Sequence, residues 1–218
     1  MPKRFDLIVF DWDGTLADST SMIVDCIREA SAEIGLPIPE KTVARKVIGL
    51  GLREAVTSLF GDLSPEQYRD LTARYRAHYF SRDEETLLYD GVLEGIAELH
   101  QQGFMLAVAT GKGRNGLNLS LQRSKLARYF EATRCVDECF SKPHPQMLLE
   151  LMDEVGTAPE RTLMIGDTSF DLQMAQNAHV DSLAVSYGAH PLQHLLSHTP
   201  LAHFDDFTKL KLWLIMNA

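Results

Sequence analysis

The sequence predicts an α/β fold: a parallel sheet sandwiched by helices, with an all-helical segment inserted after the first strand. Three observations carry this. Short, nearly continuous apolar runs recur along the chain, amphipathic helical stretches separate them, and the interval from Thr20 to about Glu85 holds helical patterns but no convincing strand.

The first run is FDLIVF, Phe5 to Phe10, bounded by charge. That is the pattern of a parallel strand buried on both faces, where alternation is lost because neither face meets water. FMLAVA (Phe104 to Ala109) and TLMI (Thr162 to Ile165) repeat it, with Ser182 to Val185 a plausible fourth. Between them, helical periodicity covers Leu93 to Gln102, Gly116 to Ser124 and Gln146 to Val155. Alternating strands and helices imply parallel connections with helices on both faces.

The interrupting interval divides into Ser19–Ile34, Glu40–Val47, Leu52–Phe60 and Pro65–Tyr79, separated by GLPIP, the IGLG turn and GDLS. Its exits, Asp18-Ser19 and Tyr89-Asp90-Gly91, are polar or turn-like and suit two hinges. The expected organisation is therefore residues 1–18 with 86–218 as the α/β core and residues 19–85 as a helical insertion. A chain of 218 residues has room for one core and such an insertion.

Composition excludes several classes of function. Apolar residues make up 45% and charged residues 23%, an ordinary globular balance. A formal charge of -9 would repel a phosphate-rich polymer, so nucleic acid is not an expected partner. The longest apolar stretches, such as Leu7–Phe10 and Leu212–Met216, are too short to cross a bilayer. Met1 to Asp6 leads into a strand pattern without a cleavable signal, and the expected location is the cytoplasm. Cys26, Cys135 and Cys139 form no even-numbered framework and are expected to stay reduced thiols.

The chemistry gathers at strand ends. Asp11-Trp12-Asp13-Gly14-Thr15 follows the first strand, and in an open parallel sheet ligands bind beyond the strands' carboxyl ends. Taken singly, Asp13-Gly14 is also ordinary turn chemistry. Thr110 follows the FMLAVA strand, Lys142 lies in Ser141-Lys142-Pro143, and Gly166-Asp167 follows TLMI with Asp171 four residues on. Each alone has a bland explanation: a helix cap, a solvated amine, a first-turn acid. The ordered set is what points to a site.

That set resembles the four motifs of the haloacid dehalogenase superfamily, in order: Asp11-x-Asp13-Gly-Thr, Thr110, Lys142-Pro143 and Gly166-Asp167-x-x-x-Asp171. A helical cap inserted after the first motif is the arrangement of its phosphoglycolate-phosphatase-like branch, so the resemblance covers the whole chain. Ile48-Gly49-Leu50-Gly51-Leu52-Arg53-Glu54 also looks like that branch's substrate-specificity loop. Trp12 departs from the commoner leucine or methionine at a variable position.

The resemblance implies a magnesium-dependent phosphatase acting on a small phosphorylated metabolite. Asp11 would be the nucleophile and Asp13 the general acid and then base. Lys142 and Mg2+ would supply positive charge, with Asp11, Asp167 and the main-chain carbonyl of Asp13 as metal ligands. Thr110 and the backbone N–H groups of Gly111 and Lys112 would hold phosphate oxygens, Asp171 would orient Lys142 or a metal-bound water, and Arg53 would read the substrate from the cap. Relatives by chemistry remain open: a sugar-phosphate mutase would share every catalytic residue, a regulatory protein could retain the fold, and a dehalogenase would need neither Asp13 nor a metal. Phosphoglycolate, sugar phosphates, nucleoside monophosphates and pyrophosphate are all candidate substrates, and the oligomeric state is not legible.

Two further patterns compete. Gly111-Lys112-Gly113-Arg114-Asn115-Gly116 is a G-x-G-x-x-G string with Glu131 at about the spacing of a ribose-binding acid. A dinucleotide fold would leave Asp11, Asp13, Lys142, Asp167 and Asp171 as coincidences, so the glycines are read as letting backbone wrap a phosphate. His190, His194 and His198 recur every four residues, with His203 nearby. Pro191 and the Ser-His-Thr-Pro stretch favour a solvated surface helix over a metal stripe.

Overall fold

The computed structural model describes residues 3–82 and 87–218. The chain runs β1 (Leu7–Phe10), then α1 (Thr20–Glu33), α2 (Lys41–Arg45), α3 (Leu52–Phe60) and α4 (Pro65–Arg82). It continues with α5 (Val92–Gln101), β2 (Met105–Thr110), α6 (Arg114–Ser124), β3 (Ala132–Cys135) and α7 (Gln146–Val155). The last part is β4 (Thr162–Gly166), α8 (Ser169–Asn177), β5 (Asp181–Val185), α9 (Leu192–Leu196), β6 (Ala202–Phe204) and α10 (Phe207–Asn217).

The six strands form one parallel sheet in the order β3-β2-β1-β4-β5-β6. β1 is central, with Phe10 in register with Val108 of β2 and Ile165 of β4. The winding reverses between β1 and β4, which opens a crevice at their carboxyl ends. All four residues of β1 are buried, and they alternate between two cores. Ile8 and Phe10 pack with Val92, Ile96, Leu99, Phe207 and Leu210 on one face, whereas Leu7 and Val9 pack with Met147, Leu151 and Met174 on the other. Period-2 side-chain alternation thus serves two apolar layers, which is why the run is continuously hydrophobic.

Local chemistry sets the helix ends. Thr168 caps α8 in a reciprocal box, its hydroxyl accepting from Asp171 N while Asp171 Oδ2 accepts from Thr168 N at 3.0 Å. α7 ends on Gly156 in the left-handed region at φ 72°.

Helices α1 to α4 lie between β1 and β2 and hold apolar clusters of their own, one around Ile23, Ile27, Val47, Ile48 and Tyr79, another around Ala30, Val56 and Leu71. The expected boundary at residues 85 and 86 falls outside the described residues. Two strands absent from the sequence expectation are β3 and β6, the sheet's edges, with burial interrupted along β3 and no fully buried residue in β6. The histidine series does not share a helix: α9 spans only Leu192–Leu196, leaving His190 before it and His198 after it. His190 is buried rather than solvated, its Nδ1 3.1 Å from Ser169 N and its Nε2 3.2 Å from the Lys46 carbonyl.

Candidate active site

β1 ends at Phe10 and delivers Asp11 into the crevice, where its N–H donates to the Ile165 carbonyl at 2.9 Å. Asp11 is 1% exposed. Its Oδ1 accepts from Lys142 Nζ at 2.7 Å and from Trp12 N at 2.6 Å, while buried Oδ2 has no hydrogen-bond partner. Lys142, from the segment before α7, also donates to Asp171 Oδ1 at 2.6 Å. The other oxygen of Asp171 serves the α8 cap, so Asp171 is fully engaged.

Asp167 follows β4 and is 0% exposed. Thr15 Oγ1 donates to its Oδ1 at 2.8 Å and Ala189 N to its Oδ2 at 2.7 Å. Gly14 is obligatory beside it: φ is +88°, and an added Cβ would stand 2.2 Å from Asp167 Oδ2. Thr15 was visible in the sequence motif, but nothing in the sequence ties it to a residue 152 positions away.

Carboxylate oxygens of Asp11, Asp167 and Asp171 lie within 4.8 Å of one another, the cluster of metal-ligating type found among the described residues. One ammonium faces three buried acids. Burial, then the neighbouring carboxylates, raise Asp11 well above the usual carboxylate range despite Lys142. Asp167 is pushed up to about 7, by burial first and Asp171 second, against the N–H of Ala189 and the Thr15 hydroxyl. Burial alone would lower the Lys142 ammonium, but Asp11 and Asp171 outweigh it and hold its pKa above the ordinary value. An all-oxygen donor set, surplus negative charge and the unpartnered Asp11 Oδ2 together fit a hard divalent cation.

Asp13 turns away from that cluster. Its Oδ1 accepts from Ser19 Oγ at 2.7 Å and lies 3.1 Å from Lys112 Nζ. Its main-chain carbonyl is therefore the group left for the ligand role expected of Asp13. Lys112 is 9% exposed, and its amine also contacts the Tyr79 hydroxyl of α4. The sequence expectation used only its backbone N–H, which donates to Thr110 Oγ1 at 3.1 Å. Thr110 itself is buried at the end of β2.

A cavity of about 400 Å³ lies over these groups, with Asp11, Asp13, Thr110, Gly111 and Lys112 at its base. The loop between α2 and α3 is seated on the strand ends: Gly51 N donates to Ser141 Oγ at 2.8 Å, and the carbonyls of Gly49 and Leu50 would each lie 2.7 Å from a Cβ at position 111. Gly111 thus serves close loop packing, and the glycine string follows β2 instead of opening the first βα turn as a dinucleotide fingerprint does.

Arg53 is the expected site residue that the structure places in neither the cavity lining nor the buried cluster around Asp11. It is exposed in the first turn of α3 with its guanidinium carbon 5.3 Å from the Tyr68 ring centroid. Helical spacing points Leu52 and Ala55 into the cavity and carries position 53 outward. The arginine that lines the cavity is Arg76 of α4.

A family profile described as haloacid dehalogenase-like hydrolase matches residues 8–185, and the chain belongs to that family. It is 33% identical to the Dickeya dadantii protein named "Probable phosphatase IndB", over 94% of this chain and 91% of that one. It is 30% identical to the phosphoglycolate phosphatase of Nitrosococcus oceani, over 97% of each. In structure it is similar to a hydrolase from Pseudomonas syringae, with a TM-score of 0.89 at 22% identity, covering 99% of each chain, a likeness of fold.

Proposed function

We propose that this chain is a Mg2+-dependent phosphatase that hydrolyses a small phosphate monoester through a phospho-aspartate on Asp11. The observation that carries the reading is Asp11 itself: a buried carboxylate at the end of the central strand, bound by Lys142 on one oxygen, unpartnered on the other, at the floor of a cavity shared with Thr110 and Gly111.

In the first step an Asp11 oxygen forms a bond to phosphorus as the ester P–O bond breaks, and Asp13 gives its proton to the departing alkoxide. In the second, water attacks phosphorus, Asp13 takes the water's proton, and the bond to Asp11 breaks to release inorganic phosphate. Asp13 sits on the cavity side of the floor, where a leaving group would lie. Lys112 and Ser19 hold its carboxyl in place. Lys142 neutralises Asp11 as a phosphate dianion approaches, and Thr110 with the N–H groups of Gly111 and Lys112 cradles the phosphate oxygens. Asp171 keeps Lys142 aimed at Asp11. Asp11, Asp167 and the Asp13 carbonyl would hold Mg2+, which when bound supplies the positive charge that lets two anions meet. Residues 19–85 would act as a cap whose seated loop excludes bulk water from the floor.

The test is phosphate release from a panel of phosphate monoesters with Mg2+ and after chelation, together with acid-quench trapping of a phosphorylated protein. Mg2+-dependent release with label on Asp11 is expected. Metal-independent turnover, or label on another residue, would refute the mechanism.

A further inference from the structure

The cavity is larger and drier than a glycolate or a second phosphate requires. Its volume of about 400 Å³ lies in the range of sites that enclose whole small organic ligands. The wall opposite the floor is hydrocarbon and aromatic, built from Ile23 and Ile27 of α1, Leu52 of α3, and Tyr75, Tyr79 and Phe80 of α4. Ile23 and Ile27 are each 8% exposed, so the α1 side of this wall is shielded from solvent, while Phe80 of α4 is partly open to it.

Acids outnumber cations in the lining. Two cations line the cavity. Lys112 is engaged by Asp13 and Tyr79, and Arg76 stands on an exposed position of α4. Asp137 at the rim adds an acid that caps α6 by accepting from Arg114 N at 3.0 Å. Against the α1 wall, away from Arg76, a leaving group's own carboxylate or phosphate would lie on isoleucine and aromatic rings, where its lost hydration has no replacement. A ring of hydrocarbon would instead exchange water contact for close packing.

We infer that the preferred leaving group is an alcohol with an apolar, ring-sized body, seated between α1 and α4, and not a small carboxylate such as glycolate or a second phosphate. This rests on the phosphatase reading for the position of the phosphate, but the fit of the body to the wall can be measured without turnover.

The experiment is calorimetric binding of three non-hydrolysable probes to the whole chain with Mg2+: methylphosphonate, benzylphosphonate and phosphonoacetate. Burying one aromatic ring predicts benzylphosphonate tighter than methylphosphonate by about ten- to a hundredfold, with phosphonoacetate gaining no such advantage. Phe80 is 43% exposed, so Phe80→Ala should fold, and it should shrink the benzyl-to-methyl affinity ratio about fivefold or more. Phosphonoacetate binding more tightly than benzylphosphonate, or a ratio untouched by Phe80→Ala, would overturn the inference. In parallel, release of phosphate from benzyl phosphate tests catalysis. The expected binding order without any release would sink the catalytic reading and still support this one.

Discussion

Lys142 Nζ lies 2.7 Å from Asp11 Oδ1, and neither side chain has appreciable access to water. The pair is completed by Asp171 at 2.6 Å, so one ammonium holds two carboxylates in a dry site. Breaking a buried ion pair by removing one partner costs about 3–5 kcal/mol. Lys142→Met should therefore lower stability by about that much in metal-free buffer and abolish turnover. The loss relative to wild type should shrink as pH falls. Without Lys142 the buried acids have folded-state pKa values above their unfolded ones, so protonation favours the folded form. Denaturant unfolding of both proteins from pH 8 to pH 5 checks this. A constant difference would contradict the charge argument.

Asp11→Asn should keep the fold, since the amide is nearly isosteric, and lose activity by about 10⁴-fold or more, the scale on which removal of a nucleophile is felt. Phosphate release by the purified variant with Mg2+ measures it. Wild-type rates would exclude a phospho-Asp11.

Asp13→Asn should slow alkyl phosphate hydrolysis by about a hundred- to ten-thousandfold, because the proton for the leaving alkoxide is gone. An aryl phosphate, whose leaving group needs little protonation, should lose less in the phosphorylation step. Single-turnover kinetics on both esters separates the cases. Equal losses would remove Asp13 from the acid role.

Gly111→Ala retains the backbone N–H but places a methyl 2.7 Å from the Gly49 and Leu50 carbonyls. The loop must then lift, and a displacement of about 1 Å near a reacting centre can cost about a hundredfold. We expect kcat/KM to fall by about that factor with a stability loss of only about 1–3 kcal/mol. Unaltered kinetics would mean that seating this loop is not part of catalysis.

Arg53→Ala should leave kcat/KM within about twofold, and its removal should cost stability only the ~0.5–1 kcal/mol of an exposed cation–ring contact with Tyr68. A loss of tenfold or more on the best substrate would show that Arg53 swings inward during turnover.

The thiols should be inert in the folded chain. Burial pushes Cys135 up to about 12 and Cys26 and Cys139 up to about 11. Since the thiolate is the nucleophile, labelling at pH 8 should be slow until the protein is unfolded, when three thiols react. Rapid native labelling at any of them would contradict this.

The sequence by itself determined the sheet's central strands and the motif residues at their ends. β1, β2, β4 and β5 are buried from both sides, and that burial writes itself as uninterrupted apolar runs. Asp11, Asp13, Thr110 and Asp167 were legible because parallel strands bring their carboxyl ends to one edge, so order along the chain stands in for proximity, whereas Lys142 and Asp171 stood out through their place in the ordered motif set. The edge strands β3 and β6 escaped because half-exposed, three- or four-residue strands carry no distinctive pattern. Only tertiary structure decided which side chains meet across long separations: Thr15 with Asp167, Lys112 with both Asp13 and Tyr79, His190 with the Lys46 carbonyl. It also turned Arg53 outward and Arg76 toward the cavity. Those outcomes depend on the rotation of α3 and α4 about their own axes, which is set by how their apolar faces pack against α1 and which no local run of residues encodes.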